Sequence, residues 1–325
     1  MTTVLVSAPY MLPYMERFKP IFDKLEFDLI LPEVHERLSE AELLKYAGQF
    51  DGAICGDDRY TQKVMAACAP RLKVISKWGT GIDSIDQKAA EKYGIKIYRT
   101  PNAFTRPVSD SVLGYILTFA RRLPWMDTYM KRGDWEKTPG RALHECTLGV
   151  VGVGNIGKAV LRKARGFDMT LLGNDIIEID EKFVAEAGVE MTSLPELMER
   201  SDFISINCDL NPTSYHLINQ LQLGNVKLGA ILINTARGPI VQEDALIQAL
   251  QSGRLGGAAL DVFEVEPLPL SSPLLLMENV LLAPHNSNSS PAAWEYVHLN
   301  TLKNLVEGLG IKAQDLQIFQ DFKGS

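Results

Sequence analysis

Short apolar runs alternate along the chain with stretches in which apolar positions recur at three- and four-residue spacing. That is the pattern of parallel strands buried on both faces and separated by the helices that cover them. In the first hundred residues, strands are predicted at Val4–Ser7, Phe27–Leu31, Gly52–Cys55, Val74–Ser76 and Ile95–Tyr98. Helical spacing falls between them at Tyr14–Leu25, Glu40–Ala47, Thr61–Ala69 and Ile82–Lys92, with Ser39 placed to cap the second. A longer helix is predicted over Thr105–Arg121, after which a polar stretch from Leu123 to Glu145, carrying Trp125 and Trp135, interrupts the alternation. Strands then resume at Thr147–Val151, Met169–Leu172, Phe203–Asn207, Ala230–Asn234, Gly257–Leu260 and Val280–Ala283, with helices such as Asn155–Arg165 and Glu243–Ser252 between them. A last helix, Pro291–Leu309, is expected, although the pattern does not say where it packs. No internal repeat appears, and two α/β domains are the simplest account.

Composition narrows the classes. Of the 325 residues 46% are hydrophobic and 22% charged, which excludes disordered, collagen-like and disulfide-stapled chains. With 33 Lys plus Arg against 40 Asp plus Glu the net charge is -7, so neither nucleic acid nor an anionic membrane is an expected partner. No apolar run approaches the ~20 residues that span a bilayer. The opening residues lack a basic leader and contain Pro9 and Pro13, so a strand and loop are expected there and no signal peptide. Cys55, Cys68, Cys146 and Cys208 form no CxxC pair and have no histidine at zinc spacing, so neither a disulfide framework nor a metal site is expected, and a reducing cytoplasm is the natural compartment.

The most specific local signal is Gly152-Val153-Gly154-Asn155-Ile156-Gly157, which follows the apolar run LGVV and opens a helical stretch. Gly152 permits a tight turn, Gly154 lets a pyrophosphate approach the main chain, and Gly157 lets helix and strand pack closely. The helix N-terminus then offers N–H groups to the anion. Asp175 ends the next strand, where a carboxylate accepts hydrogen bonds from ribose hydroxyls and repels a 2'-phosphate; NAD is therefore favoured over NADP.

Moving a hydride to or from a hydroxy acid requires a cation for the carboxylate, a group that exchanges the hydroxyl proton, and a partner that holds that group in the right protonation state. Arg237 follows the strand AILI, at the sheet edge where open α/β sheets bind ligands, and a guanidinium there grips a carboxylate bidentately. Asp261 to Glu266 follow the next strand and His285 the last one. A carboxylate against an imidazole favours its charged form and fixes its tautomer. The other histidines, His35, His144, His216 and His298, are read as structural, without such partners.

The ordered set KWGTGIDSID, TPNA, LGVVGVGNIGKAV, LINTARG, ALDVFEVEP and APH resembles the D-isomer specific 2-hydroxyacid dehydrogenases, and the likeness spans nearly the whole chain. The resemblance implies a Rossmann-type NAD domain at 101–290 inserted in a flavodoxin-like substrate domain formed by 1–100 plus 291–325. It implies Arg237 as carboxylate clamp, His285 as acid/base and Glu266 as its partner. Asp261 would lie near the nicotinamide amide, the main chain of Thr80 and Gly81 near the substrate carboxylate, and Cys208, Asp209, Thr235 and Ala236 on the wall against the nicotinamide and its ribose. The polar stretch from Leu123 to Glu145 resembles the arm by which members pair, so a homodimer is expected.

Three positions depart from the usual pattern: Asn207 where a histidine is common, Asp110 where a glutamate is usual, and NSNSS after His285 in place of a glycine-containing turn. No appended regulatory domain is expected after the last helix. Lys77 and Arg106, with Arg59, are candidates for a second anionic group on the substrate, which favours a polar or acidic 2-hydroxy acid over a branched aliphatic one. The rival reading is an NAD-sensing protein like the corepressors that share this architecture; formate dehydrogenase chemistry is disfavoured because that family carries glutamine at the position of Glu266.

Overall fold

The computed structural model describes residues 1–311. They fall into two compact units, one formed by Met1–Ala103 with the chain from Ser290 onward and the other by Phe104–Ser289. Residues 312–325, included in the expected substrate domain, lie outside the described part.

In the first unit, β1 (Thr2–Val6), β2 (Phe27–Ile30), β3 (Gly52–Cys55), β4 (Val74–Lys77) and β5 (Lys96–Tyr98) form an all-parallel sheet in the order β2-β1-β3-β4-β5. This is the flavodoxin-like order. Helices α1 (Met15–Lys24), α2 (Glu40–Leu44), α3 (Gln62–Cys68) and α4 (Gln87–Tyr93) connect the strands, and the helix Pro291–Gly308 packs on β3, β4 and β5. Its approach is so close that a Cβ on Gly308 would meet the Val74 side chain at 2.2 Å. Helix α4 starts later than its apolar spacing predicts because Asp86 caps it, Oδ1 accepting from the Ala89 N–H at 2.9 Å.

The second unit opens with α5 (Thr105–Arg121) and α6 (Leu123–Lys131). Helix α6 occupies part of the stretch read from sequence as a polar interruption. Arg122 takes a left-handed φ of 54° between the two helices, and Pro124 stands in the first turn of the second, so the chain turns and starts afresh. Then follow β6 (Thr147–Val151), α7 (Asn155–Arg165), β7 (Thr170–Asn174), α8 (Glu181–Ala187), β8 (Val189–Met191), α9 (Leu194–Arg200), β9 (Phe203–Ile206), α10 (Gln220–Gly224), β10 (Ala230–Asn234), α11 (Glu243–Gln251), β11 (Leu255–Leu260) and β12 (Val280–Leu282). The seven strands are parallel in the order β12-β11-β10-β9-β6-β7-β8, a doubly wound sheet whose order reverses between β6 and β9.

Successive residues of these strands point to opposite faces, and both faces are apolar. Ile204, Ile206, Leu232, Ala258 and Leu260 pack in one core, and Phe203, Ile233, Ala259, Leu148 and Val150 in the other. Burial of both faces leaves the carboxyl edge of the strands as the place where polar side chains gather.

Candidate active site

The nucleotide loop lies at the switch point. Gly152 has a φ of 92°, and a Cβ there would meet the Cys208 main-chain nitrogen at 2.5 Å; on Gly157 it would meet the Gly152 carbonyl oxygen at 2.0 Å. Two glycines are thus required by backbone packing. Gly154 differs, since a Cβ on it would touch nothing within 4 Å. That open side of the loop adjoins the N-terminus of α7, where no side chain caps the helix and no acidic residue stands in the first turn, so the dipole end is left for an anion.

Asp175 accepts the Val153 N–H through Oδ2 at 2.7 Å and the Ile177 N–H through Oδ1 at 3.1 Å. Its carboxylate therefore braces the glycine loop while keeping lone pairs for ribose hydroxyls. Across the switch point, the Asn207 Oδ1 and the Thr235 Oγ1 are buried with no protein hydrogen-bond partner. Orphaned polar atoms beside an open glycine and an uncapped helix end fit a dinucleotide, whose amide, hydroxyl and phosphate groups supply the missing partners. Ala236 follows Thr235 on the same turn, Cys208 is half-buried, and Asp209 is exposed with its carbonyl accepting the Ser214 hydroxyl at 2.6 Å. Burial pushes the Cys208 thiol up to about 11, so it stands there as a neutral wall.

The turn after β10 is built around Asn234, a buried residue that sequence reasoning did not single out. Its side chain donates to the Arg237 carbonyl at 3.0 Å and accepts the Ala236 N–H at 3.1 Å, caging the turn that presents Arg237. The Arg237 Nη1 also donates to the Ala236 carbonyl at 2.8 Å, which braces the guanidinium at the sheet edge. Gly238 follows of necessity: a Cβ there would lie 1.9 Å from the Phe263 carbonyl group.

Glu266 and His285 meet as expected. The imidazole Nδ1 lies 3.2 Å from Glu266 Oε2, while Oε1 accepts the Phe263 N–H at 3.0 Å, and both side chains are about four-fifths buried, with 21% of the His285 side chain exposed and 18% of the Glu266 side chain. His285 has a left-handed φ of 51°, a conformation that persists in a non-glycine residue only where the surroundings impose it. Asp261 imposes it. Fully buried at the end of β11, Asp261 accepts the His285 N–H through its carbonyl at 2.8 Å, and through its carboxylate the N–H groups of Asn286 at 2.7 Å and Ser287 at 2.8 Å. With Nδ1 on the carboxylate, Nε2 is the nitrogen that can exchange a proton with a substrate.

In the other unit, the Thr80 Oγ1 donates to the Thr100 carbonyl at 2.8 Å, and the Thr100 N–H donates to Gly79, which has a φ of 120°; these bonds fix the turn that carries Thr80 and Gly81. Lys77 is already paired: its side chain is 5% exposed, lies 3.1 Å from Asp57 and donates to the Trp78 carbonyl at 3.1 Å, so its charge is met within its own unit. Arg59 and Arg106 are exposed, Arg106 in the first turn of α5 with its carbonyl accepting Lys163. One histidine read as lacking a carboxylate partner has one, His216, which pairs with Glu264; His298 accepts the Trp78 indole N–H at 2.9 Å. Burial pushes the His298 imidazole down to about 4, so it stays neutral. Among the described residues no group of His, Cys, Asp and Glu is placed to hold a metal ion, and no helix is long and apolar enough to cross a membrane.

Residues 113–287 match the family model described as D-isomer specific 2-hydroxyacid dehydrogenase, NAD binding domain. The chain belongs to that family. It is 39% identical to a glyoxylate reductase of Thermofilum pendens over 275 residues, 82% of this chain and 81% of that protein. To a D-3-phosphoglycerate dehydrogenase of Methanocaldococcus jannaschii it is 36% identical over 264 residues, 80% of this chain and 50% of the other. Among solved structures, the D-lactate dehydrogenase of Aquifex aeolicus complexed with NAD and lactic acid superposes with a TM-score of 0.84 at 27% identity, covering 98% of each chain. The family's NAD domain therefore includes the whole carboxyl edge described above, from Gly152 to His285.

Proposed function

We propose that this dehydrogenase interconverts a small 2-oxo acid and its D-2-hydroxy acid, with NAD as cofactor. The observation that carries the reading is the Glu266–His285 pair, held by Asp261 on the sheet edge that also presents Arg237. Gly154 and the N-terminus of α7 would hold the diphosphate, Asp175 the adenosine ribose, and Thr235, Ala236, Cys208 and Asp209 the nicotinamide side. When bound, the reduced cofactor supplies a hydride to substrate C2. His285 gives the Nε2 proton to the carbonyl oxygen, which becomes the hydroxyl. Glu266 stabilises the charged ring beforehand, and Arg237 grips the carboxylate and polarises the carbonyl. In the oxidation direction His285 takes that proton back. Residues 1–100 with the segment from 291 act as the substrate domain, Thr80 and Gly81 offering main-chain N–H groups to the carboxylate.

The neutralisation of Lys77 by Asp57 supports a short, singly charged substrate over a phosphorylated one, as do relatives that carry the name glyoxylate reductase. NADH oxidation with glyoxylate, hydroxypyruvate, pyruvate, 3-phosphohydroxypyruvate and 2-oxoisocaproate tests this. The highest kcat/KM is expected for glyoxylate or hydroxypyruvate. A lead for 3-phosphohydroxypyruvate would restore a role for Arg59 and Arg106, and no turnover with any acid beside tight NADH binding would favour the sensor.

Cofactor choice rests on Asp175. Asp175→Asn can keep its amide oxygen on the Val153 N–H while it loses the charge and the second acceptor, which takes the Ile177 N–H, so the NADH-over-NADPH ratio of kcat/KM should fall about tenfold or more. Asp175→Ala should also weaken NADH binding, because the loop loses its brace; an unchanged ratio in both would place the selectivity elsewhere.

A homodimer is proposed through the α5–α6 region. Leu123 and Met130 are each 50% exposed there and Trp135 86%, while Trp125 is anchored, its ring tilted against Phe119 with centroids 5.2 Å apart and its indole N–H donating to the Glu278 carbonyl. Light scattering at micromolar concentration should give twice the 36.0 kDa chain mass, and the single mass would refute pairing. Its four thiols are unpaired, which suits the cytoplasm as its compartment.

A further inference from the structure

A second histidine–carboxylate pair lies in the same unit. His216 Nε2 is 2.8 Å from Glu264 Oε1, and the Tyr215 ring stacks on the imidazole with centroids 4.1 Å apart. Glu264 is two residues from Glu266 and flanks Phe263, whose N–H holds the Glu266 carboxylate. The same Oε1 accepts the Glu243 N–H at 3.1 Å at the start of α11, and the Glu264 N–H returns a bond to the Glu243 carboxylate at 3.2 Å.

The main chain around His216 is bound to the segment that follows Arg237. The His216 N–H donates to Pro239 at 2.8 Å, the Ile218 N–H to Ile240 at 3.0 Å, and the Gln242 N–H to Ile218 at 2.9 Å. Gly238 lies flat on Phe263. The loop at 211–219 therefore grips the arginine turn by its backbone and the glutamate turn by one side chain. His216 also takes a left-handed φ of 50°, as His285 does, so its ring is delivered to Glu264 by an imposed backbone. The Glu243 and Glu264 carboxylates meet here, and burial followed by the charges of Glu264 and Asp244 pushes Glu243 upward even though it accepts the Glu264 N–H. Without the imidazole N–H the glutamate turn would keep the repulsion and be held by the Glu243 bonds alone on this side.

We propose that His216 is a positioning residue for the reaction: by holding Glu264 it sets the distance between Glu266 and His285 relative to Arg237. This rests on the proposed activity, but its test does not require turnover. The His285 ring titration, followed by NMR of histidine-labelled protein and assigned by the signal lost in His285→Ala, is compared in wild type, His216→Asn, Glu264→Ala, Glu264→Gln and the double variant His216→Asn/Glu264→Ala. Asparagine tolerates the left-handed backbone and is too short to reach Glu264, so it removes the bond without adding strain.

His216→Asn and Glu264→Ala should both lower the His285 midpoint, in the direction expected of Glu266→Gln, because a carboxylate drawn away from Nδ1 stabilises the imidazolium less. They should lower kcat on the preferred 2-oxo acid by about 10- to 100-fold with little change in NADH affinity. Glu264→Gln, whose amide oxygen still accepts from His216 and Glu243, should restore most of both, and the double variant should cost no more than the worse single one. A His285 midpoint and kcat left at wild-type values in both single variants, with only the melting temperature reduced, would overturn the proposal. Wild type inactive on every acid would sink the functional reading alone, since the ring titration remains readable.

Discussion

Replacing His285 by Ala should lower turnover by about three orders of magnitude while leaving NADH affinity nearly unchanged. The imidazole is fixed by Glu266 at 3.2 Å on one nitrogen and by the Asp261 grip on its own backbone and the following turn, and its other nitrogen is the one proposed to exchange the substrate proton. Alanine removes that proton and leaves the glycine loop, Asp175 and the orphaned Thr235 and Asn207 oxygens untouched. Stopped-flow measurement of the chemical step, with NADH binding followed by quenching of protein fluorescence, separates the two effects. A variant that turns over at near-normal rate would show that another group exchanges the proton. One that no longer binds NADH would show that the histidine supports the cofactor site instead.

Arg237→Gln should lower kcat/KM for the 2-oxo acid by about two to three orders of magnitude, again with NADH affinity preserved. The guanidinium is aimed by a caged turn, through Asn234 and its own bond to the Ala236 carbonyl, and glutamine keeps the polarity there without the charge or the fork. Arg237→Lys should recover only part of the loss, because a point charge grips one carboxylate oxygen and leaves the carbonyl unpolarised. Kinetics across substrate concentration decide between roles: a pure rise in KM would assign Arg237 to ground-state binding alone. Loss shared by kcat and kcat/KM would place it in the transition state.

Much of this site is legible in the sequence because a parallel sheet with two covered faces writes its strands as continuous apolar runs. Gly152, Asp175, Arg237 and His285 each follow such a run by one to three residues, so one rule about carboxyl edges collects them from a span of more than a hundred residues. What the runs do not carry is pairing across the chain. Lys77 looks like an uncompensated cation until β3 and β4 are placed in register, Cys55 against Lys77, which brings Asp57 beside it. His216 looks isolated until the loop before α10 folds onto the turn after β10 and meets Glu264, 48 residues on. Asn234 hides in a run of strand residues, where its side chain would be expected to point into the core; it turns at the strand end instead and cages the arginine turn. Helix α6 lies inside the stretch that reads as a polar interruption, because none of its residues is buried and Arg122 breaks the helical spacing before it starts.

The destination of the hydride defines the reaction. Incubating the enzyme with NADH deuterated on the transferred C4 face and hydroxypyruvate, and reading the product by NMR and chiral chromatography, answers this directly. Deuterium bound at C2 of D-glycerate is the predicted result, and with His285→Ala it should form about a thousandfold more slowly. L-glycerate, or D-glycerate with only hydrogen at C2, would contradict the account.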